Sequence, residues 1–131
     1  MHTEAVGSWN GYLNIINGYT DGSWIFRGVN SADYVLKPSI ARGTLHYDYS
    51  RKLEDYVFTR FKRESLPYLG FRPADDWDWL ALAQHHGVPT RLLDWTESPL
   101  VAAFFAVIGW VERDAAVYIM LMPPSIDTNT W

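Results

Sequence analysis

Two hydrophobic periods run along this chain, and the switches between them mark its elements. From Ser8 to Asn17 the apolar positions Trp9, Tyr12, Leu13 and Ile16 fall three and four apart, which predicts a helix. Ser8 is placed to cap its start and Gly18 to stand at its C′ position. Asp21 and Gly22 signal a turn, and Trp24–Val29, aromatic and β-branched, reads as a short strand. Asn30–Thr44 is loop-like around Pro38 and Gly43. Asp48 or Ser50 opens a longer helix reaching about Leu66, where Pro67 ends it; Tyr49, Leu53, Tyr56, Val57, Phe61 and Leu66 form its apolar stripe.

After a linker from Pro67 to Pro73, Asp75 or Asp76 caps a helix reading DWDWLALAQHH, stopped by Gly87. Pro89 turns Val88 away from helix, so Val88–Trp95 is extended or looped. Ser98 and Pro99 look like an N-cap and N1 residue of a helix running to about Glu112. Ala115–Met122 (AAVYIMLM) reads as a buried strand ended by Pro123 and Pro124.

The expected fold class is α+β, a small mixed or antiparallel sheet flanked by three to four helices. Two strands alone do not make a stable sheet. Short strands in the loops, edges from a partner chain, or a shortened version of a longer fold would each answer that. The 131 residues are enough for one domain, 1–131, with its own core.

A net charge of −4 and a pI near 5.4 give no basic field, so broad nucleic-acid binding is not expected. Arg51, Lys52, Arg60, Lys62 and Arg63 alternate with Glu54, Asp55 and Glu64, the pattern of a solvated helix face with i,i+4 pairs. With no cysteine there is no disulfide, thiol nucleophile or thiolate metal site. The first twenty residues have no leader-like pattern, and the apolar run Leu100–Val111 is too short to span a bilayer. A cytoplasmic protein is therefore expected. Seven Trp, eight Tyr and six Phe supply core bulk and rings that can stack on a planar ligand.

Candidate chemistry concentrates in Gln84–Thr96, QHHGVPTRLLDWT, with Arg27 at the end of the first strand as its companion. Arg27 beside Gly28 suits a phosphate or carboxylate that approaches the backbone, or else a tie from the arginine to loop carbonyls. His85 and His86, adjacent on a helix, point about 100° apart and cannot easily share a metal. No metal is expected. His85 can act as a hydrogen-bond donor or acid/base, or close the helix end. Asp94 can bond Arg27 or a histidine, or cap the next turn. Thr90 and Thr96 offer hydroxyls to a ligand ribose, and Arg91 a second guanidinium.

The tripeptide Phe26-Arg27-Gly28, followed after a helical interval by QHHGVPTRLLDWTESPLVAAFFA, closely resembles the FRG domain family of bacteria and phages. The likeness runs from about Trp24 to Val107, and more loosely to Met122. At fold level the order of elements resembles the mono-ADP-ribosyltransferases. That resemblance implies a nicotinamide dinucleotide, NAD, as substrate, with Arg27 positioning it and Thr90 or Thr96 at its ribose. Arg27, His85 and Asp94 would be the catalytic candidates, and Arg27, Gly28, Thr90, Arg91 and Thr96 the binding ones. The site is expected where the end of the first strand meets the Gln84–Thr96 turn. The later glutamate of those enzymes has no counterpart beyond Asp127, and Glu97 stands in the wrong place for it. The alternative is a non-catalytic module that recognises a protein partner in bacterial or phage defence or anti-defence.

Overall fold

Among the described residues, two strands pair antiparallel. A computed structural model describes residues 2–42, 51–109 and 112–124. Its elements are α1 (Trp9–Ile16), β1 (Trp24–Val29), α2 (Arg51–Ser65), α3 (Asp76–His85), α4 (Pro99–Val107) and β2 (Ala116–Leu121), joined by short 3-10 turns. The architecture is α+β: four helices and a two-stranded antiparallel sheet among the described residues. The chain divides into two compact units, one made of Met1–Tyr34 with Asp94–Trp131, the other of Val35–Leu93. No helix among the described residues is long and apolar enough to cross a membrane.

In the first unit β1 and β2 pair from Trp24↔Leu121 to Val29↔Ala116, with Arg27 opposite Tyr118 and Gly28 opposite Val117. On the other edge of β1 the extended segment before α4 adds a single bridge, Phe26↔Thr96. Its two main-chain bonds are 2.7 and 2.9 Å long. Helix α4 lies on one face of β1. Side chains alternate along a strand, so Phe26 and Gly28 share that face and Arg27 takes the other.

Gly28 is what allows the approach. A Cβ there would stand 1.8 Å from the carbonyl oxygen of Ala102. Ala102, Ala103 and Ala106 present a small-residue surface to the strand, and Phe26, 1% exposed, fills the space beside it. Ser8 caps α1 by accepting from the Gly11 amide, and Ser98 caps α4 by accepting from the Val101 amide, as the sequence predicts.

The second unit holds α2 and α3. Phe61 and Trp79 meet edge to face at 6.2 Å, and Lys62 joins Asp76 while standing 4.3 Å from the Phe58 ring centre. Asp75 caps α3 by accepting from the Asp78 amide. At the other end Gly87 adopts φ +75°, its amide donates to Gln84, and the Val88 amide donates to Ala83. This is a Schellman closure, and it requires the left-handed backbone that glycine adopts without strain.

Several expectations are corrected. Helix α4 ends at Val107 rather than near Glu112, because Gly109 takes φ +100° and turns the chain out. Gly18 follows the Asn17 cap of α1, at the expected C′ position, but without a positive φ, because the chain passes there through a 3-10 turn at Asn17–Tyr19. β2 is half-exposed rather than buried, with Met120 and Leu121 open, because only β1 flanks it among the described residues. In the stripe expected for α2, Tyr56 and Leu66 face solvent. The capping candidates Asp48 and Ser50, together with Tyr49, lie outside the described residues.

Candidate functional site

Arg27 projects from the face of β1 opposite α4. Its Nη1 donates to the main-chain carbonyl of Asp94 at 2.6 Å. The guanidinium is a rigid planar fork, so a bond at one nitrogen fixes the plane of the whole group. Thr96 is held two residues farther along by its bridge to Phe26, and its hydroxyl oxygen accepts from the Ser98 amide at 3.1 Å. Arg27, Asp94 and Thr96 are therefore brought together within the first unit, as part of the expected site.

Gly28 has a packing role. The space left by its missing side chain is filled by the α4 backbone. Across the ladder from Arg27, Tyr118 occupies the same face, and its hydroxyl donates to the Tyr34 carbonyl at 2.8 Å. Neither tyrosine was singled out by sequence. Only the register of β2 against β1 places Tyr118 beside the arginine.

Thr90 and Arg91 belong to the second unit, and each is built into a hydrogen-bonded cluster. Thr90 is 2% exposed. Its hydroxyl donates to the Gln84 side-chain oxygen and accepts from the Leu92 amide at 3.2 Å. Its amide donates to the Ser39 hydroxyl at 3.0 Å, and its carbonyl accepts from Ser39 and from the Ile40 amide. Burying so polar a backbone requires this full set of partners. The Thr90 hydroxyl ties the motif to α3, and the Thr90 main chain ties it to the Ser39 turn.

Arg91 makes a two-pronged ion pair with Glu54 of α2. Nε meets one carboxylate oxygen and Nη2 donates to the other at 2.7 Å. Glu54 is buried at 4% exposure, which corrects its assignment to a solvated helix face. Arg60 and Glu64 do form the exposed i,i+4 pair expected on that helix. A signal for Glu54 was present: it shares the three-and-four spacing of Val57, Phe58 and Phe61, so an acid occupies an apolar row. His85 and His86 close α3 as exposed rings, edge to face at 5.2 Å. Among the described residues no group of acids, histidines or cysteines is arranged to hold a metal ion.

A family model described as FRG domain matches residues 22–114. The chain belongs to the FRG domain family. The match starts just before β1 and ends just before β2, so it takes in Arg27 and the whole Gln84–Thr96 segment. Comparison with curated proteins gives no match, and neither does comparison with solved structures. Arg27 and Asp94, which meet through the Asp94 carbonyl, both lie within the matched span.

Proposed function

We propose that this FRG domain binds nicotinamide dinucleotide or a related phosphorylated ligand on the face of β1 that carries Arg27, in the manner of an ADP-ribosyltransferase-like fold. The observation that carries the reading is the oriented guanidinium of Arg27, fixed on Asp94 and flanked by the Tyr118 position. An arginine on a rigid strand presents its donors to phosphate or carboxylate oxygens in a set geometry. Thr96, in the strand-like segment on the other edge of β1, supplies a hydroxyl for the ligand ribose. Arg91, in the other unit, is engaged by Glu54.

The reading is one of binding first. Transfer of ADP-ribose needs a carboxylate to stabilise the developing positive charge at the ribose. Asp127, the acid nearest in sequence order to that role, lies outside the described residues. Titration calorimetry of the folded chain with NAD is the test, with Arg27→Ala alongside. Binding by the wild type and about a tenfold or greater loss in the variant is expected. A folded wild type that binds no NAD would overturn the reading.

One observation favours a second reading, a non-catalytic module for a protein partner in bacterial or phage defence. The outer face of α4 exposes Leu100, Phe104, Phe105 and Val107, a concentration of apolar surface that marks interaction sites. Under that reading Phe104→Glu abolishes partner capture while Arg27→Ala leaves it intact.

A further inference from the structure

The hydrogen bonds of β2 leave one edge of the sheet open. Residues of an antiparallel strand alternate between bonding the partner strand and pointing their amide and carbonyl to the far side. The Met122 amide donates to the Ser23 carbonyl at 2.7 Å, one step beyond the Trp24↔Leu121 pair. That bond fixes the phase. Tyr118 and Met120 bond Arg27 and Ile25, while Val117, Ile119 and Leu121 turn their main-chain groups away from β1. Phe26 obeys the same phase, since its amide and carbonyl are both taken by Thr96 on the other edge of β1. The outward groups of Val117, Ile119 and Leu121 have no hydrogen-bond partner among the described residues.

Edge strands commonly carry a lysine, a proline, a bulge or an inward charge that discourages further pairing. Ala116–Leu121, AVYIML, has none of these, and its register against β1 is unbroken. Two strands are also too few for an independently stable sheet. What fits this edge is another extended strand, and β2 itself meets the requirement. With Ile119 opposite Ile119 of a copy, and Val117 opposite Leu121, every facing pair of outward residues exchanges both main-chain bonds. Tyr118 then faces Met120. No like charges meet, because β2 carries no charge. A two-fold axis at Ile119 closes the pairing, so it ends at two copies.

The helices leave room for it. Each α4 sits over its own β1, where the Ala102 carbonyl occupies the space above Gly28. With both copies of β2 between them, the two β1 strands would lie three strand spacings apart, roughly 14 Å. Packed helices need only about 8–10 Å. Leu121, 58% exposed, shares a face with Phe26 and α4 and would lie in the gap between the two helices.

We propose that β2 pairs antiparallel with β2 of a second copy of this chain, about a two-fold axis at Ile119, joining the two sheets into one of four strands. The proposal is independent of the nucleotide reading above.

Light scattering of the full chain reads the mass directly. Wild type is expected at twice the monomer mass in the micromolar range. Leu121→Pro removes an outward amide, leaves the bonds to β1 in place, and is expected at the monomer mass. The chain has no cysteine, so single cysteines report the register. In the proposed pairing the two Cα atoms of residue 119 stand about 5.5 Å apart, within disulfide range, and those of residue 121 about 14 Å apart. Ile119→Cys should therefore oxidise to a covalent dimer, and Leu121→Cys should not. A wild type that stays monomeric overturns the proposal, even where a strand peptide from another protein binds the edge. A folded Leu121→Pro that remains dimeric puts the contact elsewhere and overturns it too. If Leu121→Pro does not fold, the cysteines decide: no cross-link at 119, or an equal one at 121, overturns the pairing.

Discussion

Nη1 of Arg27 lies 2.6 Å from the carbonyl oxygen of Asp94, so the arginine of β1 is bonded to the backbone of the segment that leads into α4. The arginine is a tie as well as a ligand candidate. A structural tie and a binding role are compatible here, because the bond that secures the loop also orients the guanidinium plane.

Arg27→Lys separates the two roles. Lysine keeps the positive charge but cannot reproduce the planar donor geometry. A loss of about 1.5–3 kcal/mol in unfolding free energy is expected, the range for one hydrogen bond to a charged group. Urea denaturation with an unchanged m-value would verify it. An equally stable lysine variant would show that the Asp94 contact contributes nothing to the fold.

Gly28→Ala should be far more disruptive. The added methyl carbon would fall 1.8 Å from the Ala102 carbonyl oxygen, so α4 has to lift off β1. A cost of about 3 kcal/mol or more is expected, at or beyond the upper end for overpacked cores. Because the clash is with main-chain atoms, trimming Ala102 to glycine should give no rescue. Thermal denaturation of the single and double variants checks both statements.

What the sequence made legible follows from local rules. The Ser8, Asp75 and Ser98 caps and the Gly87 stop each need only a few neighbouring residues, and all four are observed. The strands at Trp24–Val29 and Ala116–Leu121 follow from composition and period. Partners distant in the chain are a different matter. Thr90 and Arg91 stood out as polar residues with ligand potential, but their partners Ser39 and Glu54 lie 51 and 37 positions away. Only the fold reveals that the Thr90 main chain and the Arg91 side chain are engaged there. Tyr118 was hidden for a related reason: in an apolar strand nothing local states which residue faces Arg27.

The Glu54–Arg91 pair gives a sharp energetic test. Removing one partner takes the two-pronged contact from the other in a site where Glu54 is 4% exposed. Arg91→Met alone, which affects the buried carboxylate, should therefore cost about 3–5 kcal/mol, and Glu54→Leu less, because the Arg91 side chain is 34% exposed to water. The double variant should be markedly more stable than the sum of the two losses predicts, because neither charge is left behind. A double-mutant cycle by chemical denaturation measures this coupling. Additive losses would mean that the pair is not a coupled unit.

Tyr12 makes the alkaline side of the stability profile predictable. Its hydroxyl donates to the Pro99 carbonyl at 2.7 Å, linking α1 to the first turn of α4. Burial raises its pKa above the ordinary value of 10.0. A phenol with a raised folded pKa holds its proton more tightly in the native state than in the unfolded one. Its contribution is therefore complete below the unfolded pKa and is lost as pH climbs through the folded value. Wild-type stability should fall as pH passes about 10, with a part of that fall missing in Tyr12→Phe. At neutral pH the phenylalanine variant should lose about 1 kcal/mol for the hydroxyl bond. Unfolding free energies of both proteins at neutral and alkaline pH supply the comparison, and parallel profiles would remove Tyr12 from the account of alkaline unfolding.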